Sequence, residues 1–485
     1  MRIRGVLALA LLLIVIWAGL TGTRSQAAPS GSAADIAVQA AQRFRGTTLR
    51  VTWEAGLQAQ DPLRFSGPEW TKLTGIRIQV IETPYGELFS RAVTEHLGRT
   101  GAFDVISYAP AWQADLVQAG VLEPLDPYLA RYMPPGSLDD IHPTYRQWMR
   151  WRGRTYGIFD DGDVFVVYYR RDLFRDPKNQ SEFQAKYGRP LAPPRSWKEW
   201  DEICAFFTEK YAPNLYGCAI QRTEGAAYFW FEEQFRANGG RFFDEGTMKA
   251  LINNEIGVRT LTDMVNNNKR MPPGVEKWGF VEVLSAWLDG KLAMIETWPP
   301  IGRWSEGYGT QTAQLSWVPK TKVAGKVGYA LSPGGYPELA AGFMLGVSSD
   351  SRNKEAAYLF IQWLTSKEIS LQRVMLPFAL RDPYRISHYE SGLYRAQWAA
   401  APEYLRILRL GADRGLLDLA IPGAREYEEA LDRAVVAAYA GTPPKQALDK
   451  AAADWDAITR RIGVDRQRQA YREWASKPNA YPRGR

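Results

Sequence analysis

Thr48-Leu49-Arg50-Val51-Thr52-Trp53-Glu54 alternates polar and apolar residues with period two and stops at Ala55-Gly56, which marks a strand and its turn. Ile76-Arg77-Ile78-Gln79-Val80 repeats the pattern after a polar stretch through Ser66-Gly67-Pro68 and a short helix. Residues 87–97 read as a helix, with Leu88, Ala92 and His96 at i, i+4 and i+8, before the next strand, Asp104-Val105-Ile106-Ser107-Tyr108. Residues 112–120 form a further helix closed by Gly120. Strands separated by helices predict a parallel, doubly wound sheet covered on both faces. Ligands of such sheets sit beyond the carboxyl ends of the strands, where Trp53, Glu54, Tyr108 and Trp112 fall.

A second α/β region begins at Tyr156-Gly157-Ile158, with strands expected at 164–169 and 218–220 and a helix at 197–210. The amphipathic stretch 225–238 ends at Gly239-Gly240, a helix stop. Strands follow at 292–295, running into Glu296-Thr297-Trp298, and at 342–347, after the glycine- and proline-rich residues 332–337. A helix is expected at 353–365. In the tail Tyr427, Leu431, Val435 and Ala438 share one helix face, Gly441 stops that helix, and Thr442 caps the next with Pro443 at its first position.

Of the 485 residues, 46% are hydrophobic and 23% charged, with 18 Trp, 24 Tyr and 19 Phe. That composition is globular and excludes a disordered or fibrous chain. At roughly 100–200 residues per domain, the length accommodates two to four folding units. Arg2, Arg4 and Arg24 contribute to the net charge of +7, and the remainder is too dilute for a nucleic-acid groove. With three histidines and two cysteines, a His-rich metal centre is not expected.

Arg2 and Arg4 precede the apolar run 6–20, and Ser25-Gln26-Ala27 supplies a small-x-small ending, so residues 1–27 read as an export signal. The run is short of the ~20 residues that span a bilayer, and an uncleaved anchor is the alternative. No lipobox Cys follows it, so lipid attachment there is excluded, and the mature protein is expected in the periplasm. In that oxidising compartment Cys204, on a helix, and Cys218, opening the next strand, are a candidate disulfide; two buried thiols are the alternative.

Five signatures then fall in one order. Residues 156–174, YGIFDDGDVFVVYYRRDLF, resemble the crossing segment of family 1 extracellular solute-binding proteins, the maltose-binding-protein-like sugar receptors of ABC importers. Pro194-Arg195-Ser196-Trp197-Lys198-Glu199-Trp200 resembles their helix start, and Asn238-Gly239-Gly240 with Asp244 their glycine-pair element. Gly290-Lys291-Leu292-Ala293-Met294 is similar to one of their strands, and residues 353–364 to the helix after the return strand. The resemblance spans 48–462. It implies an α/β, two-lobed periplasmic binding protein fold of type II kind: two doubly wound domains joined by hinge crossings, with a helical C-terminal segment. Lobe 1 would hold 48–160 and 341–395, and lobe 2 would hold 161–340 and 396–478. The implied function is a monomeric receptor, not an enzyme and without cofactor. It would close by hinge motion on a sugar or polyol and deliver it to ABC permease transmembrane subunits. A separate ATPase would serve these, since no G-x-x-x-x-G-K-[ST] loop is present.

A sugar offers hydroxyls, which charged acceptors bind strongly, and C–H faces, which suit aromatic planes. The ligand-binding candidates are therefore Trp53 and Glu54, Tyr108 and Trp112, Asp161 and Asp163, Glu224 and Trp230, Glu296 and Trp298, and Tyr336 and Arg381. Motif alignment matches Tyr108 and Trp298 to stacking tryptophans of the family and Asp163 to its acidic hinge residue. Trp53, Trp112 and Trp230 compete with core packing, Tyr85 with ordinary surface, and Arg381 with a hinge brace through Asp382. The Asp160-Asp161-Gly162-Asp163 cluster reads as a ligand acceptor, a solvated turn or a cation site; its spacing lacks the alternation of an EF-hand. Two rival functions stand beside the sugar receptor. One is a same-fold receptor for a polyamine, glycerol phosphate or metal chelate. The other is an exported carbohydrate-active enzyme pairing Asp161 or Asp163 with Glu224 or Glu296.

Overall fold

The computed structural model describes residues 31–339 and 342–483, so the export signal expected at 1–27 lies outside the described residues. The strands are β1 (Thr48–Glu54), β2 (Arg77–Thr83), β3 (Val105–Tyr108), β4 (Arg150–Trp151), β5 (Arg154–Thr155), β6 (Ile158–Asp161), β7 (Val166–Arg170), β8 (Tyr216–Ala219), β9 (Leu292–Thr297), β10 (Val327–Ala330) and β11 (Phe343–Val347). One sheet has the order β2-β1-β3-β11-β6 and another β10-β7-β9-β8, while β4 and β5 form a short hairpin.

Both sheets are mixed, which corrects the parallel expectation. β1 runs parallel to β2 and β3, but β11 is antiparallel to β3 and β6. β8 runs parallel to β9, but β7 is antiparallel to β9 and β10. The cause lies in the crossings. The chain leaves the first sheet at the carboxyl end of β6 and enters the second as β7 after four residues; it returns from β10 to β11 in the same way. A strand that enters at the edge where its neighbours end must run back against them.

The alternation of β1 is expressed in burial: Leu49, Val51 and Trp53 are fully buried, each contributing about 1.5–3 kcal/mol. Helix Lys354–Leu364 covers β11, and helix Ala33–Ala41 packs on that helix in turn. Helix Trp197–Tyr211 is tied to β8 by the Cys204–Cys218 disulfide, with Cα atoms 5.1 Å apart. The tail is helical over Ala401–Arg414, Ala424–Tyr439, Pro444–Ile462 and Val464–Ala475, and it packs on the second sheet and on helix Ala227–Ala237. Residues 112–120 divide into a 3-10 turn, Pro110–Trp112, and helix Gln113–Gln118, with Gly120 left-handed at φ +82°. Pro443, not Thr442, stands at the N-cap of the penultimate helix. No described helix is long and apolar enough to cross a membrane.

Candidate functional site

The carboxyl ends of β1, β2, β3 and β6 and the starting end of β11 share one edge of the first sheet. The carboxyl ends of β8, β9 and β10 and the start of β7 share the facing edge of the second. Between these edges lies a cleft of about 740 Å³. Strand register decides which side chains meet there. The Glu54–Thr83 pairing places Tyr85, two residues past β2, beside Glu54. The Val166–Thr297 pairing brings residues 163–165 next to Trp298, whose ring meets Phe165 edge-on at 5.1 Å. Asp432 accepts hydrogen bonds from the Gly225 and Tyr228 N–H groups at 2.6 and 3.1 Å, fixing the loop that carries Glu224 into helix Ala227–Ala237.

Four of the expected residues line this cleft: Glu54, Asp163, Glu224 and Trp298. Tyr85, Phe229, Phe280, Phe343, Asp382 and Arg425 join them. The carboxylates of Glu54 and Glu224 make no hydrogen bond or ion pair among the described residues, which leaves their acceptor oxygens open to a ligand. Burial pushes Glu54 up to about 7, against the nearby Arg381 charge that lowers it. Asp163 accepts from the Gly342 N–H at 3.1 Å and faces Asp382. Burial, followed by the Asp161 charge, pushes Asp382 up to about 8, and the same causes hold Asp163 well above the carboxylate range.

The remaining expected residues lie behind the cleft wall. Arg381 donates to Asp161 at 2.9 Å, its Nε stands 3.3 Å from Asp160, and its guanidinium lies over the Trp53 ring at 5.0 Å. Trp53, Asp161 and Arg381 are thus buried in a network at the crossing between the sheets, where Arg381 pairs with Asp161 and Asp160 instead of with the Asp382 carboxylate. Arg373 extends the network, donating to Asp61 at 2.7 Å and pairing with Asp160. Tyr108 is buried, with its hydroxyl donating to Gln113, and it packs so closely on Gly157 that a Cβ there would stand 2.2 Å from the phenol oxygen. Trp112 donates to Glu428 and backs Tyr85 with ring centroids 5.2 Å apart. Trp230 stacks on Phe165 at 4.6 Å, beneath Trp298. Glu296 is fully buried with no hydrogen-bond partner for either carboxylate oxygen, and burial raises it to about 7. Tyr336 donates to the Arg483 carbonyl, away from the cleft.

Sequence reasoning passed over Phe280, Phe343 and Arg425. Phe343 follows the Gly342 turn directly, a position comparable to Trp298 after its strand; Arg425 lies on a distant tail helix and only folding brings it here. Asp161, Asp163 and Asp382 bring carboxylate oxygens within 4.8 Å of one another. Arg381 donates to Asp161 of this trio at 2.9 Å, and the Gly342 N–H donates to Asp163.

Residues 48–370 match the family model described as bacterial extracellular solute-binding protein. The chain is 24% identical over 350 residues to a probable amino-acid ABC transporter periplasmic-binding protein of Sinorhizobium fredii, covering 70% of this chain and 73% of that protein. It is 27% identical over 293 residues to the mannitol-binding protein of Pseudomonas aeruginosa, covering 58% and 60%. It shares the fold of an ABC transporter solute-binding protein from Agrobacterium radiobacter K84 solved in complex with ribitol. The TM-score is 0.71 at 24% identity, over 85% of this chain and 99% of that one.

Proposed function

The chain belongs to the bacterial extracellular solute-binding proteins, and from that premise we propose that it is the receptor of an ABC importer for an alditol or a related sugar. The observation that carries the reading is the cleft wall: Trp298 and four more aromatic rings beside the open carboxylates of Glu54 and Glu224. Rings suit the C–H faces of a polyol, and carboxylates accept from its hydroxyls at about 1.5–3 kcal/mol each. An α-amino acid would need a cation for its carboxylate. Among the described residues lining the cleft, Arg425 is the one cation, and it already pairs with Glu428 and Glu429. The mannitol-binding relative and the ribitol-bound structure support the same ligand class.

In this proposal, lobe 1 (48–160 and 341–395) and lobe 2 (161–340 and 396–478) rotate about the crossings near Gly162 and close over ligand. The leader exports the chain to the periplasm, and the closed form docks on permease subunits served by a separate ATPase. Ligand drives closure only through contacts present in the shut form and absent from the open one. Differential scanning fluorimetry against alditols, aldoses, amines, amino acids and phosphates tests it, because a ligand of the native state raises the melting temperature. An alditol or sugar is expected to give the largest shift; a response confined to amines or amino acids overturns the assignment.

A further inference from the structure

Four acceptor groups in the cleft wall are unspent. Gln58 and Gln221 both use their amide N–H groups, Gln58 on Asp161 at 3.4 Å and Gln221 on Thr223 at 3.5 Å, while their carbonyl oxygens are buried without a partner. The carboxylates of Glu54 and Glu224 are the other two. A solute matched to such a wall is rich in donors. A hydroxyl brings one N–H or O–H donor at most, whereas an ammonium brings three and no acceptor.

The charges decide between them. Behind the wall two guanidiniums serve three carboxylates: Arg373 pairs with Asp61 and Asp160, and Arg381 stands 3.9, 3.3 and 2.9 Å from Asp61, Asp160 and Asp161. Arg303 stands 3.7 Å from Asp382, and Arg425 pairs with Glu428 and Glu429 at 3.5 and 3.0 Å. Glu54, Asp163 and Glu224 are left without an ion pair among the described residues. Glu224 is exposed, so water solvates its charge, and Asp163 accepts from the Gly342 N–H. Glu54 is half-buried at the end of β1 and has neither resource.

Closure over a neutral polyol would strip water from Glu54 and return hydroxyl donors without a balancing charge, and a buried carboxylate lacking a cation is costly. An ammonium returns donors and charge together. The five aromatic rings of the wall attract it further, since their faces are negative.

We propose that the solute is an amino-substituted alditol or sugar whose ammonium pairs with Glu54. The proposal rests on the receptor reading above and deepens it, adding one positive charge to the polyol.

Isothermal titration calorimetry at pH 7 tests it with matched sets: ribitol, D-mannitol and D-glucitol, each against its 1-amino-1-deoxy derivative and the N-acetyl form of that amine, which keeps the frame and loses the charge. At least one amine is expected to bind about tenfold or more tightly than both its parent and its N-acetyl form. Glu54→Gln keeps the shape of the side chain and should bring that ratio to within about twofold, whereas Glu54→Asp keeps the charge and should retain part of it. The inference is overturned if the parents bind as tightly as their amines, if the advantage survives Glu54→Gln, or if putrescine binds more tightly than every amino alditol. If parents and amines alike fail to bind, the receptor reading itself fails and takes the inference with it, which is a different result.

Discussion

Gly162 stands so close to Pro383 that a Cβ built on it would lie 2.3 Å from the Pro383 carbonyl oxygen and 2.8 Å from its carbonyl carbon. The Gly162 N–H also donates to the Asp382 carbonyl at 3.2 Å, so the first crossing between the sheets and the segment 381–384 are laced backbone to backbone. Gly162→Ala must push the two apart. It is expected to cost about 1–3 kcal/mol, read as a lower melting temperature, whereas Gly153→Ala, where nothing lies within 4 Å but φ is +84°, should cost only the backbone strain, about 1 kcal/mol.

Trp298 offers the cleft its largest aromatic face, and Trp230 and Phe165 hold it from beneath. Trp298→Ala is expected to weaken alditol binding by tenfold or more, at least about 1.4 kcal/mol, with Trp298→Phe retaining part of the affinity. Calorimetric titration checks both.

Burial leaves Glu296 at about 7 and Asp382 at about 8, against ordinary values of 4.5 and 3.8. From about pH 4.5 upward the unfolded chain releases these protons while the folded chain keeps them, so stability is greatest at the acid end of that window. It falls as pH rises through 7 to 8. Glu296→Gln removes one of the two groups. It should match the wild type near pH 5 and exceed it near pH 8 by on the order of 1–3 kcal/mol, measured as melting temperature against pH.

Arg373 holds two buried carboxylates, Asp61 and Asp160, neither of which has water to fall back on. Arg373→Met strips both carboxylates of their nearest cation and leaves them to Arg381, 3.9 Å from Asp61 and 3.3 Å from Asp160, and should cost about 3–5 kcal/mol. Adding Asp160→Asn should recover part of the loss, which urea titration of the single and double variants measures.

The Cys204–Cys218 bond closes a loop with a sequence separation of 14. Replacing both residues by Ala is expected to cost about 2–4 kcal/mol without altering alditol affinity, since neither cysteine reaches the cleft. Thermal melts of the double variant and of reduced wild type should agree.

Glu54 and Trp298 were legible in the sequence because each ends a strand, where a parallel sheet presents its ligand-facing residues. Tyr108 ends a strand as well, yet it points into the core: all four residues of β3 are buried, and a strand covered on both faces carries no alternation to say which aromatic faces out. Trp53 sits on the apolar side of an alternating strand, which alternation alone assigns to core as readily as to cleft, and Trp230 sits on a helix whose every residue is buried, so no polar face marks its outward side. The mixed sheets were not legible either, since direction is set by where the crossings enter, and periodicity is blind to direction. Asp163 was read from its place in the crossing segment. Its partner Asp382 and the bracing Arg373 lie more than 200 residues on, and no local pattern joins them.

The indole N–H of Trp112 donates to Glu428 at 3.0 Å, and Arg425 lies over the same indole at 5.5 Å. Trp112 follows the first sheet while both partners ride the tail helix that packs on the second half, so this small clasp spans the molecule beside the cleft. In the proposed receptor, water would take over each of those contacts as the halves part, and one exchanged hydrogen bond changes the balance by only about 1 kcal/mol. The clasp would then bias the opening without deciding it, leaving the decision to the solute.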